Sequence, residues 1–363
     1  MVSVPFGRFL LPGPTEVHPD VLAAMLRPMI GHRGPAMVAL LTALEAPLRR
    51  LFRTTRRVVV GTCAATGFME LAVRSGVRAR ALSLVSGAFG ERFAAIVQAC
   101  GHEVVRLEVR PGEVVEPDML RDALRRTEAD AVTVVHSETS TGALAPLAEL
   151  APVVREFDDV LLLVDAVTSV AGSPVETDAL ALDFVFTGSQ KALALPPGLA
   201  LGVASERMLT RARTLPGRGA YLDVVAYDEA FAERQPTNTP ALSLLYALAA
   251  QCERIEVEGG VEARWARHDA MRTAVEHWIE GAGGTLGFGY LPRADRRSWT
   301  VSCLRVPNGT SGRAIVRRVA EAGWTIGTGY GPLKESTLRI GHMGDHTREG
   351  VEAVLEVLEE AVR

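Results

Sequence analysis

Residues 183–198 read DFVFTGSQKALALPPG, and the lysine at position 191 is the residue whose setting decides the fold. Asp183 to Phe186 read as a short buried strand, Thr187 to Gln190 as a polar turn, and Ala192 onward as apolar chain closed by Pro196, Pro197 and Gly198. An ammonium group placed there has few routes to water. A lysine in apolar surroundings tends to lose its proton, and the neutral amine is a nucleophile able to form a Schiff base. The competing reading is a lysine at a helix start whose head snorkels to solvent. The rest of the chain decides between them.

On either side of this stretch, short β-rich runs alternate with helical ones: RVVVGT, ALSLVS, EVVRLEV, AVTVVHSE, VLLLVDAV, DFVFTGS and GLALGVAS. Apolar strands of four to six residues, each followed by a turn or an amphipathic helix, predict a mostly parallel sheet covered on both faces. That is a three-layer α/β domain. From about residue 243 a long helical segment follows, SLLYALAAQCERIEVEGGVEARWARHDAMRTAVEHWIEGAG. Then come two strand-like runs (TVSCLRV and WTIGTG), TLRIGHMG and a closing amphipathic helix. The expected division is an N-terminal segment over 1–20, a large domain over 21–254 and a smaller α+β domain over 255–363.

The 363-residue chain carries a net charge of −4 with its 39 basic residues dispersed, so no nucleic-acid footprint stands out. Cys63, Cys100, Cys252 and Cys303 form no CxxC pair and no cluster with histidine, which argues against a zinc site and a disulfide framework. They read as free thiols in a reducing compartment. No window approaches a membrane span and no cleavable leader is evident, so a cytoplasmic protein is expected.

In an open parallel sheet, ligands gather at the C-terminal strand ends. Those ends fall at Thr62–Thr66, Ser86–Gly90, His136–Gly142, Asp165–Ser169 and Thr187–Lys191, all rich in small or hydroxyl residues. Such loops leave backbone N–H groups free, and a helix start behind them favours an anion such as phosphate. Asp165 ends a fully apolar strand. It reads either as a helix cap or as the carboxylate that keeps a pyridinium nitrogen protonated opposite a Schiff-base lysine.

The runs LLLVDAVTS and FVFTGSQKALALPPG together resemble the pyridoxal-phosphate enzymes of fold type I, in the class V aminotransferase group that includes alanine–glyoxylate and serine–pyruvate aminotransferases. The likeness extends to LLPGPTEVHPDVLAAM, HSETSTG, TNTPALSLLYAL and LRIGHMGD. The resemblance implies pyridoxal 5′-phosphate as cofactor, Lys191 as the Schiff-base lysine and proton shuttle, and Asp165 as partner of the pyridinium nitrogen. It implies a phosphate seat at Ala64, Ala65 and Thr66 with Gln190 beside it, and a hydroxyl near the cofactor's O3′ at Thr139. It also implies a stacking ring at Phe89, where many relatives have Trp, and an anchor for the substrate α-carboxylate at Arg339. Thr237, Asn238 and Thr239 match the segment that reaches the partner's phosphate, so a homodimer with shared sites is expected. Gly13, His32, Arg33 and Tyr330 fall near the substrate mouth.

The alternatives are weaker on the residues. The first loop, GTCAATG, lacks the three-glycine spacing of a dinucleotide fold. A desulfurase needs a cysteine on a mobile loop, and Cys303 lies in a strand-like run. A silent scaffold has little reason to keep Lys191, Asp165 and Arg339 together. The expected activity is transfer of the amino group of alanine or serine to glyoxylate or pyruvate. Ureidoglycine or aminoethylphosphonate as donor, or a lyase or desulfurase reaction on the same fold, is the alternative.

Overall fold

The apolar runs of the first part of the chain become one seven-stranded sheet in the computed structural model, which describes residues 6–363. In chain order the strands are β1 (Phe9–Leu10), β2 (Val58–Gly61), β3 (Arg80–Val85), β4 (Glu103–Glu108), β5 (Ala131–Val135), β6 (Ser137–Glu138), β7 (Ala143–Leu144), β8 (Leu161–Asp165), β9 (Phe184–Gly188), β10 (Ala200–Ala204), β11 (Gly289–Tyr290), β12 (Val301–Arg305), β13 (Thr325–Thr328) and β14 (Thr337–Gly341). The large sheet has the order β2-β10-β9-β8-β5-β3-β4, and every strand but β10 points the same way.

Away from the edge strand β4 both faces of this sheet are covered, which is why β2, β5, β8, β9 and β10 are buried nearly throughout and show no polar alternation. Val58, Val60, Leu162 and Val164 enter one core, while Val59, Leu161 and Leu163 enter the other. The helix Pro35–Phe52 packs into the first core, and the helices Ala65–Gly76 and Ala88–Ala99 into the second. Because the strands share a direction, the ends of β2, β3, β5, β8 and β9 open on one edge.

A second sheet, β1-β13-β14-β12-β11, is backed by the helices Val261–Glu280, Gly312–Glu321 and Arg348–Val362 around Leu304, Leu338 and Ile340. Two features differ from the sequence expectation. Phe9 and Leu10 pair with Thr325 and Ile326, so this part of the N-terminal segment is a strand of the second sheet. The long helical segment is two main helices, Leu242–Glu258 and Val261–Glu280, broken where Gly259 and Gly260 take φ of 112° and 87°. Glycine alone enters that region without strain, so the GG pair ends one helix and lets the next change direction.

Candidate active site

The site forms where the ends of β2, β5, β8 and β9 meet. Asp165 ends β8, all five of whose residues are buried, and is itself 3% exposed. Its Oδ1 accepts the Val167 N–H at 2.8 Å. Burial raises the carboxyl to about 7, against the opposing pull of that hydrogen bond. Lys191 follows β9 in a turn and is 7% exposed. Burial, reinforced by the Arg339 charge, lowers its ammonium to about 8. Its Nζ donates to the Pro12 carbonyl and stands 5.8 Å from the centre of the Phe89 ring. A Cβ on Gly13 would lie 2.5 Å from that nitrogen, so only glycine leaves the amine its place.

Asp165, Lys191 and Phe89 line one cleft with Ala64, Ala65, Thr66, Met69, Arg92, Ser137, Thr139, Thr168 and Gln190. Ala64 starts the helix Ala65–Gly76 without a side-chain cap, which leaves the N–H groups of Ala65 and Thr66 for a ligand, Gly67 N already donating to the Ala64 carbonyl at 2.8 Å. Thr139 Oγ1 and Thr168 Oγ1 are 2.7 Å apart. Arg339, in β14 opposite Cys303 and Gly327, donates from Nε to the Thr328 carbonyl at 2.9 Å and from Nη1 to the Thr139 carbonyl at 3.0 Å. No acidic side chain among the described residues pairs with it. Tyr330 bridges the two sides, its ring 5.9 Å from that of Phe89 and 5.5 Å from the Arg339 guanidinium carbon.

The turn that carries Lys191 is clamped from behind. Arg264, fully buried, donates from Nη2 to the Ala192 carbonyl at 2.8 Å and from Nη1 to Asp345 at 2.9 Å. Thr15 N donates to the Gln190 carbonyl at 2.9 Å. The N-terminal segment and the chain after β14 therefore both press on the lysine turn.

Not every expected residue joins this cluster. Asn238, Thr239 and Arg33 are exposed, Thr237 and His32 half-buried, and none of the five lines the cleft of a single chain. The loop 237–241 is tied to the end of β2, where Ala241 N donates to Thr62 Oγ1 at 2.9 Å. Cys303 is wholly buried in β12, its thiol pushed up to about 11 by burial, which is the opposite of a reactive thiolate on a mobile loop. The sequence reading passed over Arg92, Thr168, Arg264 and Glu138. Only Thr168 carried a signal, as a hydroxyl three residues beyond the strand-ending Asp165.

Known proteins place this geometry. The profile of the family described as Aminotransferase class-V matches residues 90–354. This chain is a class V aminotransferase. The aminotransferase is 36% identical over 362 residues to an uncharacterized aminotransferase of Methanocaldococcus jannaschii, covering 98% of this chain and 92% of that one. It is 30% identical to the (S)-ureidoglycine–glyoxylate transaminase of Bacillus subtilis, across 98% and 92% of the two chains. The crystal structure of an alanine–glyoxylate aminotransferase from Nostoc sp. superposes with a TM-score of 0.92 at 31% identity, covering 100% of this chain and 97% of that one.

The aminotransferase moves amino groups with pyridoxal 5′-phosphate. Its cleft fits that cofactor. A buried amine with a lowered pKa, a buried carboxyl and an uncapped helix start face one space, as an aldehyde, a ring nitrogen and a phosphate require. When bound, the cofactor supplies the carbonyl that takes up the amino group and a ring that stores electrons.

Proposed function

We propose that this aminotransferase takes a small amino acid, alanine or serine, as donor and a small 2-oxo acid, glyoxylate or pyruvate, as acceptor. Arg339 carries the reading. It is a half-buried guanidinium fixed by two carbonyls, with no carboxylate partner among the described residues and with Nη2 and one Nη1 hydrogen uncommitted. A planar fork held in this way is ready for a carboxylate. Bound there, the donor turns its Cα hydrogen toward Lys191, whose amine, neutral above about pH 8, takes up the proton. Asp165 holds a proton at the ring nitrogen, and Thr139 offers a hydroxyl close by. Phe89 and Tyr330 narrow the space beside the carboxylate, which supports a short side chain. Two relatives with different donors share glyoxylate in their names, which supports that acceptor.

The same reading makes the enzyme a homodimer in which Thr237, Asn238 and Thr239 complete the partner's phosphate seat, with His32 and Arg33 at the mouth. Leu26 and Met29, 86% and 73% exposed near that mouth, are apolar surface suited to a second copy. Four free cysteines suit the cytoplasm, and among the described residues no helix is long and apolar enough to cross a membrane.

The test is a panel of amino donors with glyoxylate or pyruvate, following loss of the cofactor band at roughly 410–430 nm. Alanine or serine should discharge the band fastest. Faster discharge by ureidoglycine, aspartate or aminoethylphosphonate would replace the donor assignment, while failure of every α-amino acid would remove Arg339 from its role.

A further inference from the structure

Glu138 is a carboxylate that the chemistry above does not use, yet it is 1% exposed and lies against the cleft. It sits in β6, a two-residue strand paired with β7, inside the turn 136–142. Both its oxygens accept. Oε2 takes the backbone N–H groups of Phe89 and Gly90, each at 3.1 Å, and Oε1 takes Ser140 N at 3.0 Å and Ser140 Oγ at 2.5 Å. Ser140 Oγ in turn accepts the Ala88 N–H at 3.0 Å.

The first three N–H groups of the helix Ala88–Ala99 are therefore capped by a turn some fifty residues further along the chain. The helix has no cap of its own. Gly87, at the N-cap position, has no side chain to offer. Nor has it room for one, because a Cβ there would lie 2.4 Å from Ser140 Oγ and 2.6 Å from Glu138 Cγ. An uncapped helix start frays, and a buried carboxylate at the positive end of the helix dipole is the opposite arrangement.

What this helix start carries is Phe89. Its ring faces Lys191 on one side and Tyr330 on another, with the Arg92 guanidinium 4.9 Å away. The plane of a ring in the first turn of a helix is only as fixed as that turn. The residue next to Glu138 adds a second link, since the Thr139 carbonyl receives Arg339 Nη1. One turn thus holds both the ring beside the amine and the guanidinium across from it.

We propose that Glu138 is a positioning residue whose carboxylate locks the first turn of the helix Ala88–Ala99 and so sets the plane of the Phe89 ring against the cofactor's pyridine ring. The proposal rests on Phe89 being the stacking residue. Replacing Glu138 by Gln keeps the shape but turns one acceptor into a donor that faces N–H groups already donating.

The experiment uses purified apoenzyme titrated with pyridoxal 5′-phosphate, for the wild type, Glu138→Gln, Phe89→Ala and the double variant. It reads the dissociation constant, the induced visible circular dichroism of the bound cofactor and the melting temperature of the apoenzyme. Glu138→Gln is expected to weaken cofactor binding roughly 3- to 30-fold, the range that a lost helix cap spans, and to diminish the visible dichroism. The double variant should bind no worse than Phe89→Ala, because Glu138 acts through that ring. Unchanged binding and dichroism in Phe89→Ala would overturn the stacking assignment itself. A clear effect of Phe89→Ala beside an unaltered Glu138→Gln, or losses that multiply in the double variant, would overturn the role of Glu138 alone. Should Glu138→Gln fail to fold, Ser140→Ala removes the Ala88 cap and one Glu138 contact while leaving the carboxylate in place. It should shift binding in the same direction by about 2- to 5-fold, and no shift would overturn the proposal.

Discussion

Asp165 and Lys191 are 3% and 7% exposed, and each is held by a backbone partner, the Val167 N–H for one and the Pro12 carbonyl for the other. Asn238 and Thr239 are exposed, and Asn238 finds only its neighbour, donating to Thr237 Oγ1 at 3.3 Å. The floor of the cleft is complete within one chain, whereas the rim is exposed and held by few contacts, Thr237 accepting from Asn238 and Ala241 N donating to Thr62 Oγ1. Buried polar groups must be satisfied where they stand, so the floor is built by the fold itself. Groups at a rim are satisfied by water until something docks, so their geometry says less about their work.

The comparison breaks most sharply at Lys191. Lys191→Ala should bind the cofactor and lower transamination by a factor on the order of 10⁴ or more, since it removes both the covalent link and the proton carrier. Single-turnover assays with alanine measure this. Borohydride reduction of the wild type followed by peptide mapping should label this lysine, and a label on any other would move the floor elsewhere.

At Asp165, exchange for Asn should cost turnover roughly 10²-fold, equivalent to about 3 kcal/mol in the transition state. The apoenzyme should respond in the opposite sense. The folded carboxyl is raised to about 7 from 3.8, so its penalty on folding grows between about pH 4 and 7 and is constant above. The melting temperature of Asp165→Asn apoenzyme should exceed the wild type's at pH 8 and match it near pH 4. A variant with normal turnover would leave Asp165 only the acceptor that caps the turn at Val167, since no helix lies between β8 and β9.

Arg339→Lys keeps the charge and loses the fork. It should raise the KM of the amino donor and lower kcat/KM about 10- to 100-fold with cofactor affinity unchanged. A primary amine without a carboxylate should react as poorly as before. Equal losses with amine and amino acid would take the carboxylate away from Arg339.

The smallest effect belongs to the rim. Asn238→Ala should weaken cofactor binding by about tenfold, as loss of one or two charge-assisted hydrogen bonds would. If the proposed dimer holds, with lysine and rim loop coming from different copies, equilibrated mixtures of Asn238→Ala with Lys191→Ala subunits should contain sites in which both are intact. Cofactor affinity at wild-type level in a fraction of the mixed sites, read by titration, is the expected sign. Its absence would make the rim a private surface of each chain.

The sequence shows the floor plainly because burial leaves a mark in composition. LLLVD is apolar up to a single acid, and Lys191 is a single base set between a short polar turn and the apolar run ALALPPG, so Asp165 and Lys191 stand out against their surroundings. Glu138 has no such contrast. It lies among hydroxyl residues in HSETSTG, where an acid reads as solvated loop, and only the folded turn shows that it faces a helix start 48 residues earlier in the chain. β1 is two residues long, too short for any periodicity to register. The break at Gly259–Gly260 was visible in the letters GG, but the apolar pattern on both sides continues in helical period, and the pattern outweighed the punctuation. Thr237–Thr239 are named by resemblance alone, because an exposed loop follows no burial pattern.

The reversed strand β10 has a consequence in time as well as in space. A parallel successor to β9 would need a crossover of a dozen or more residues, usually a helix. Running antiparallel, the chain turns back within Ser189–Leu199, a loop pinned by Ser189 N to the Leu199 carbonyl at 3.0 Å and by Ser189 Oγ to the Pro196 carbonyl at 2.8 Å. Lys191 thus rides on a connection between neighbours in sequence. The helix start at Ala65 hangs on β2, an edge strand whose only sheet partner among the described residues is β10, through the distant pairing of Gly61 with Ala200. Short loops close faster than long ones, so during refolding the lysine is expected to be in place before the phosphate seat. Recovery of cofactor binding would then time the arrival of β2 at the sheet edge.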